Sequence, residues 1–408
     1  MIKNMCTPLI AWMMWFFLTA FYAYQYVLRV FTGTVLDDLT AKFNIGAFEI
    51  GNFSGIYYIG YTLAHLPIGV VIDRMGPKKV LPVFIILTFA GLLPLVYVDN
   101  WTYSVIGRLI TGIASSASVL GLFKVVNIGF GEKKFSRMIG MSVTIGLIGA
   151  INGGTPISYL LQKFGFENVI NALCIFGAVL AIFTYFSIPK NVDINSRVHS
   201  NVLSELKSVL LNPRVLYLSF LGGLMIGPME GFADAWGPKF LQELCGLSKE
   251  DAGTAVSFMF LGMCFGCPML TYIAEKLDAF YGIILISACV MLVCFILIFM
   301  GVGNVAFMHI LLFVAGFFSA YQILIVGKVR NFTLQNLGTV TSAVANMIIM
   351  IFGYVFHSAI GIIIHKLSGS GMEEVTIMLY GLSTIPMALM ISILGMLILL
   401  LRKKQWGY

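Results

Sequence analysis

The chain has 408 residues, 59% of them hydrophobic and 11% charged, with a net charge of +7. A soluble domain carries roughly 25% charged residues, so a water-soluble globule is excluded. The positive charge has no basic, aromatic-studded soluble segment through which to meet nucleic acid.

Apolar runs recur from Trp12 to Leu401, and a hydrocarbon core takes roughly 20 apolar residues per helix. The N-terminus has one Lys, no small-residue cleavage site and too long an apolar run for a signal peptide, so it reads as a retained first helix. Polar breaks divide the chain into spans 10–33, 50–72, 80–98, 102–127, 137–161, 168–188, 214–238, 252–274, 280–300, 304–327, 339–364 and 376–401. The fold class is therefore an all-α polytopic membrane protein with twelve transmembrane helices. Residues 1–188 form one six-helix bundle, 189–213 a linker with an amphipathic helix over Asn201–Leu211 along the membrane surface, and 214–408 a second bundle. Loops on one face carry 17 Lys and Arg. The other face carries five, namely Lys42, Lys163, Lys239, Lys249 and Lys366. The excess places both termini in the cytoplasm. Cys264 and Cys267 form a C-x-x-C pair with no second Cys or His pair near it, which reads as packing rather than a metal or redox site.

Polar residues inside spans are expensive and mark function. Span one places Tyr22, Gln25, Tyr26 and Arg29 at i, i+3, i+4 and i+7, one helical face. Span two carries Ser54, Tyr58, Tyr61 and His65 on one stripe. The turn that follows is GVVIDRMGPKKV, Gly69–Val80. It contains Gly69, where a missing side chain admits a neighbouring helix, Asp73 at the membrane edge, Arg74, the reversal Gly76-Pro77, and Lys78 and Lys79. Span four carries Arg108, Thr111, Gly112 and Ser115 on one face, with Lys124 near its end as an interfacial lysine. Span five is glycine-rich, GMSVTIGLIGAINGGTPIS. Span seven has Glu230 and Asp234 at i, i+4, after Pro228. Span eleven has Ser342, Asn346 and His357.

The Gly69–Lys79 turn, lying between spans two and three of twelve, resembles the signature loop of the major facilitator superfamily. A degraded copy, Gly266-Cys-Pro-Met-Leu-Thr271-Tyr-Ile-Ala-Glu275-Lys276, stands at the matching place in the second half. Thr271 replaces the usual Gly and Glu275 the usual Asp. The resemblance implies two pseudo-symmetric six-helix halves working by alternating access. It also implies a cytoplasmic gate at Gly69, Asp73, Arg74, Gly76, Lys78, Lys79 and Glu275, with Asp73 contacting the opposite half. Helices one, four, seven and ten would line the central cavity.

On that frame Tyr22, Gln25, Tyr26, Arg29, Tyr58, Tyr61, Arg108, Ser115 and Asn346 are the candidate substrate-binding residues. Each guanidinium can grip a carboxylate bidentately or, alternatively, snorkel to headgroups. Glu230, Asp234 and His357 are the proton-coupling candidates, because like charges at i, i+4 repel and burial disfavours ionisation. Acids in one half could pair with arginines in the other when the site is empty.

The function expected is a proton-coupled secondary transporter, a symporter, of a small polar solute bearing a carboxylate: a metabolite anion, amino acid, short peptide or polycarboxylate siderophore. A drug exporter and a non-transporting receptor are the alternatives. No nucleophile–base pair, metal cluster or phosphate loop points to an enzyme, and no cofactor is implied. The expected setting is a bacterial inner membrane and the expected state a monomer, with lipid, substrate and protons as partners.

Overall fold

The computed structural model describes residues 7–189, 202–301, 303–334 and 337–401. Most of the expected linker, residues 190–201, and the cationic end 402–404 lie outside the described residues. In chain order the first helices are α1 (Pro8–Thr34), α2 (Leu36–Phe43), α3 (Ala47–Met75), α4 (Pro77–Ala90), α5 (Leu93–Tyr97) and α6 (Trp101–Phe130). Then come α7 (Glu132–Gly153), α8 (Thr155–Phe164), α9 (Phe166–Ser187), α10 (Val202–Leu210) and α11 (Pro213–Leu224). A π-helical segment, Gly227–Trp236, precedes α12 (Gly237–Cys245), α13 (Lys249–Leu277), α14 (Phe280–Phe299), α15 (Val305–Ser319) and α16 (Tyr321–Lys328). A 3₁₀ turn, Val329–Phe332, leads to α17 (Gly338–Leu367), α18 (Glu374–Leu382) and α19 (Thr384–Leu401).

Eleven helical stretches among the described residues are long and apolar enough to cross a membrane. The 27-residue α1 is a twelfth of sufficient length, about 40 Å at 1.5 Å per residue. Its tyrosines, Gln25 and Arg29 make it less apolar than the others.

Several spans are built from two helical pieces, and proline places the breaks in all but the α15–α16 span, which has none. A proline ring clashes with the carbonyl four residues before it and offers no N–H. Accordingly α4 ends at Ala90, four before Pro94; α11 ends at Leu224, four before Pro228; and α18 ends at Leu382, four before Pro386. The break between α7 and α8 falls within a residue of the same offset from Pro156. Pro238 opposes the carbonyl of Asp234, and there the helix widens instead, with Gly237 N–H bonded to the Phe232 carbonyl. Span seven is thus not the uniform α-helix the sequence reading assumed.

Contacts group the chain into two compact units. The first holds Met1–Arg29, Ala41–Phe43 and Ile56–Ser200; the second holds Val30–Thr40, Asn44–Gly55 and Asn201–Tyr408. Within the first, α3 and α6 touch backbone to backbone: a Cβ on Gly60 would stand 2.5 Å from the Leu109 carbonyl, and one on Gly112 would fall on the Tyr57 carbonyl. The second unit repeats this between α13 and α15, where Gly262 and Gly266 meet the carbonyls of Phe313 and Phe317 and Gly316 meets that of Met259. Glycine is required at such crossings because any side chain would force the helices apart. The amphipathic helix read over Asn201–Leu211 is α10, which packs against α11 and α17 rather than lying only on a surface. Val209 is fully buried and Leu210 is exposed.

Candidate functional site

In the first unit, Arg108 is 3% exposed. Its Nη1 donates to the Leu28 carbonyl at 2.7 Å and its Nη2 to the Arg29 carbonyl at 3.1 Å. Those oxygens sit within α1, so the guanidinium uses their second lone pairs and ties α6 to α1. The Arg108 head also lies 4.8 Å over the Tyr57 ring, and the Tyr57 hydroxyl donates to Gln25 Oε1 at 2.8 Å. Arg29, 7% exposed, rests 4.4 Å over the Tyr26 ring. The Tyr22 and Tyr26 hydroxyls are 3.4 Å apart, and Gly146 of the glycine-rich α7 leaves the space that the Tyr22 ring fills, 2.7 Å from where its Cβ would be. Tyr58 is buried edge-on against Tyr57, and Tyr61 stacks beside Tyr57. Ser115, fully buried on α6, has no hydrogen-bond partner for its hydroxyl among the described residues.

The structure therefore gathers Gln25, Tyr58, Tyr61 and Arg108 around one residue that the sequence reading passed over, while Tyr22, Tyr26 and Arg29 contact one another along α1. That residue is Tyr57. The signal that could have found it is a ring spacing, Tyr57, Tyr61 and His65 at i, i+4 and i+8.

The signature turn divides into separate tasks. Gly76 takes φ 81° and ψ 149°, a left-handed backbone that favours glycine, and Pro77 opens α4. Lys78 donates to the carbonyls of Tyr185 and Ile188 at the end of α9 and lies over the Tyr185 ring. A cation there offsets the helix's negative end. Asp73 accepts a 2.8 Å bond from Lys124, with side chains 44% and 18% exposed respectively. Lys124, read as a plain interfacial lysine, is thus the aspartate's partner within its own unit. Arg74 and Lys79 are exposed. Gly69 is not a close-approach site: a Cβ there would meet only Leu120 Cδ1, at 3.9 Å.

In the second unit Glu230 and Asp234 are 4% and 2% exposed and share the wholly buried π-helical segment. Segments of this kind are rare and frequent at functional sites. Phe356 packs on Gly227 and Gly231 of that segment, while its neighbour His357, fully buried, presents its carbonyl to Gly51. Asn346, half-buried on the same α17, accepts from Gln322 at 3.2 Å. Glu275 is exposed near the end of α13. Lys239 bridges Glu243 at 3.0 Å and Glu374 at 3.5 Å, beside a cavity of about 460 Å³ that Trp236 also lines and that contains none of the site residues named above. No group of three or more metal-ligating side chains occurs among the described residues.

Residues 5–348 match the sequence model of the Major Facilitator Superfamily. The chain is 24% identical over 259 residues to a probable L-galactonate transporter of Escherichia coli, and 22% identical over 258 residues to the nitrite extrusion protein of Bacillus subtilis. Those matches cover 59% and 62% of this chain and 56% and 62% of the relatives' own lengths, so part of each relative has no counterpart in the alignment. A quinolone resistance transporter of Acinetobacter baumannii is 22% identical over 65% of this chain and 67% of its own. Among solved structures, the nucleoside transporter NupG superposes with a TM-score of 0.73 at 14% identity, covering 94% of this chain and 99% of that one. A bacterial homologue of the human lysosomal transporter Spinster, inward-facing and unoccupied, gives 0.69 at 11% identity over 95% of both chains. At these identities the structural likeness concerns the fold.

Proposed function

Because the chain belongs to the Major Facilitator Superfamily, a family of transporters rather than enzymes, we propose that it carries a small organic anion across a membrane by alternating access, coupled to protons. One observation carries the reading: two arginines, 7% and 3% exposed within membrane spans, each laid on a tyrosine ring. A buried guanidinium is costly without compensation, and its planar fork suits a carboxylate. The names of two relatives, a galactonate transporter and a nitrite extrusion protein, are both those of anion carriers. Arg29, Arg108, Gln25 and the neighbouring tyrosines are assigned to the substrate. Glu230 and Asp234, buried four residues apart in the π-helical segment, are assigned to proton uptake, with His357 secondary. Asp73, with Lys124 and the Gly76 turn, is assigned to gating. The 17-to-5 cation asymmetry supports cytoplasmic termini, and the bacterial relatives support a bacterial inner membrane. The halves are assigned as 1–188 and 214–408.

The quinolone resistance relative favours drug export as a second reading. The arginines weigh against a lipophilic cation as its cargo. Thermal-shift screening of the purified protein against metabolite anions, amino acids, peptides and an uncharged apolar drug separates the two, since a quinolone itself bears a carboxylate. The proposal expects a carboxylate to stabilise the protein and Arg29→Lys to weaken that ligand by roughly 1–3 kcal/mol, about one to two decades. Stabilisation by the uncharged drug alone, or Arg29→Lys binding the anion like the parent, overturns it.

A further inference from the structure

Along α3, three rings stand one above another on successive turns. Tyr57 and Tyr61 have centroids 6.2 Å apart and planes within 22°; Tyr61 and His65 are 5.5 Å apart at 39°. The ladder starts beneath Arg108, which lies 4.8 Å over Tyr57. From Tyr57 to His65 it covers about 12 Å of helix.

Apolar packing does not account for it. A chain that is 59% hydrophobic fills its interior with aliphatic side chains and Phe, whereas these rings bring polar atoms into a membrane span, where an unmatched one is costly. His65 is 5% exposed, and its Nδ1 has no hydrogen-bond partner among the described residues. Ser115, on the Arg108 face of α6, is in the same condition. The contacts of Gly112 with Tyr57 and of Lys124 with Asp73 fix α3 and α6 in parallel register. In that register Ser115 stands level with the Tyr61 turn. Two orphaned polar atoms therefore lie along the lower half of a ring ladder whose upper end is cationic. Tyr61 and Tyr26 are only half-buried, so their rings retain open surface.

We propose that the substrate carries a planar aromatic or heteroaromatic ring between its anionic group and a distal hydrogen-bonding group. The anionic end meets the arginines, the flat ring lies against Tyr61, and the distal group satisfies His65 and Ser115. The Tyr61 ring, within 22° of the Tyr57 plane, can receive a flat π-system by offset stacking; a saturated ring projects axial hydrogens and has no matching quadrupole. This rests on the anion-transport reading but adds the shape of the ligand to it.

The test is equilibrium binding to the full-length purified protein with matched probes: benzoate against cyclohexanecarboxylate, 4-hydroxycinnamate against cinnamate, and adenosine as a ring compound without an anion. Benzoate should bind roughly 2- to 10-fold tighter than cyclohexanecarboxylate. The distal hydroxyl of 4-hydroxycinnamate should add about 10-fold. Tyr61→Leu should lower benzoate to the level of cyclohexanecarboxylate, Tyr61→Phe should keep the preference, and His65→Leu should remove the benefit of the hydroxyl alone. Saturated and aromatic acids binding alike would sink the ring proposal and leave the anion reading standing. Adenosine binding while every acid fails would overturn the anion reading and this proposal with it. Failure of all the probes, charged and neutral, overturns the ring proposal, as does Tyr61→Leu with its preference intact.

Discussion

Replacing Arg108 by Lys separates two roles that the sequence alone assigns together. Arg108 spends two nitrogens on the α1 carbonyls of Leu28 and Arg29 and lays its flat face over Tyr57. A lysine keeps the charge, but its single ammonium cannot hold both carbonyls while covering the ring. One charge-assisted hydrogen bond is worth about 1.5–3 kcal/mol and the lost ring contact about 0.5–1 kcal/mol. The loss is therefore about 2–4 kcal/mol of stability before any ligand is added. At roughly 2 °C per kcal/mol or less for a chain of this size, the apparent melting temperature should fall by roughly 3–8 °C. Arg29→Lys keeps the charge but gives up the guanidinium's place over the Tyr26 ring. The assay is intrinsic tryptophan fluorescence of both variants and the parent in the same detergent, without and with the anion found by screening. Arg108→Lys melting with the parent would refute the role given to its two carbonyl bonds and ring contact. Ligand should restore less stability to both variants than it gives the parent.

Two further outcomes follow from the geometry. Gly112→Ala places a methyl group on the Tyr57 carbonyl and should cost more than about 2 kcal/mol, whereas Gly69→Ala meets only Leu120 at 3.9 Å and should melt with the parent; the reverse order in a thermal melt would contradict the α3–α6 packing. The Asp73–Lys124 pair is partly exposed, so neutralising either member should change stability by less than about 1 kcal/mol yet cut uptake sharply, and the reversed pair Asp73→Lys with Lys124→Asp should recover part of it. Normal uptake by Asp73→Asn removes the pair from the gating mechanism.

The parts of this molecule that were legible in the sequence were those written in hydropathy and backbone chemistry. Span positions follow from apolar runs, and Gly76-Pro77 announces a reversal that requires a positive φ. The sequence also singles out the arginines and acids, because a charge within an apolar run has few reasons to be there. What stayed hidden depends on register between helices. That Lys124 reaches Asp73, and that Tyr57 rather than Tyr58 lies under Arg108, is decided by how α3 slides along α6, which no single-helix periodicity records. The spacing of Gly60 and Gly112 held part of that information, because backbone contact at a glycine pair pins the register. The π-helical segment, Gly227–Trp236, was marked by Pro228 near its start and Pro238 just beyond its end, but a sequence does not say whether a proline breaks a helix or widens it. Gly69 illustrates the opposite error, a glycine read as a contact where the neighbour is only a leucine methyl group.

Proton-driven accumulation tests the central claim most directly. The protein is reconstituted into liposomes, a pH gradient is imposed, and uptake of the anion identified by screening is followed for the parent and for Glu230→Gln with Asp234→Asn. The account predicts that the parent concentrates the anion against its gradient and stops when an uncoupler is added. The doubly neutralised protein should exchange labelled for unlabelled anion across the bilayer without concentrating it. Accumulation that survives the uncoupler, follows sodium instead, or persists undiminished without both carboxylates would contradict the account.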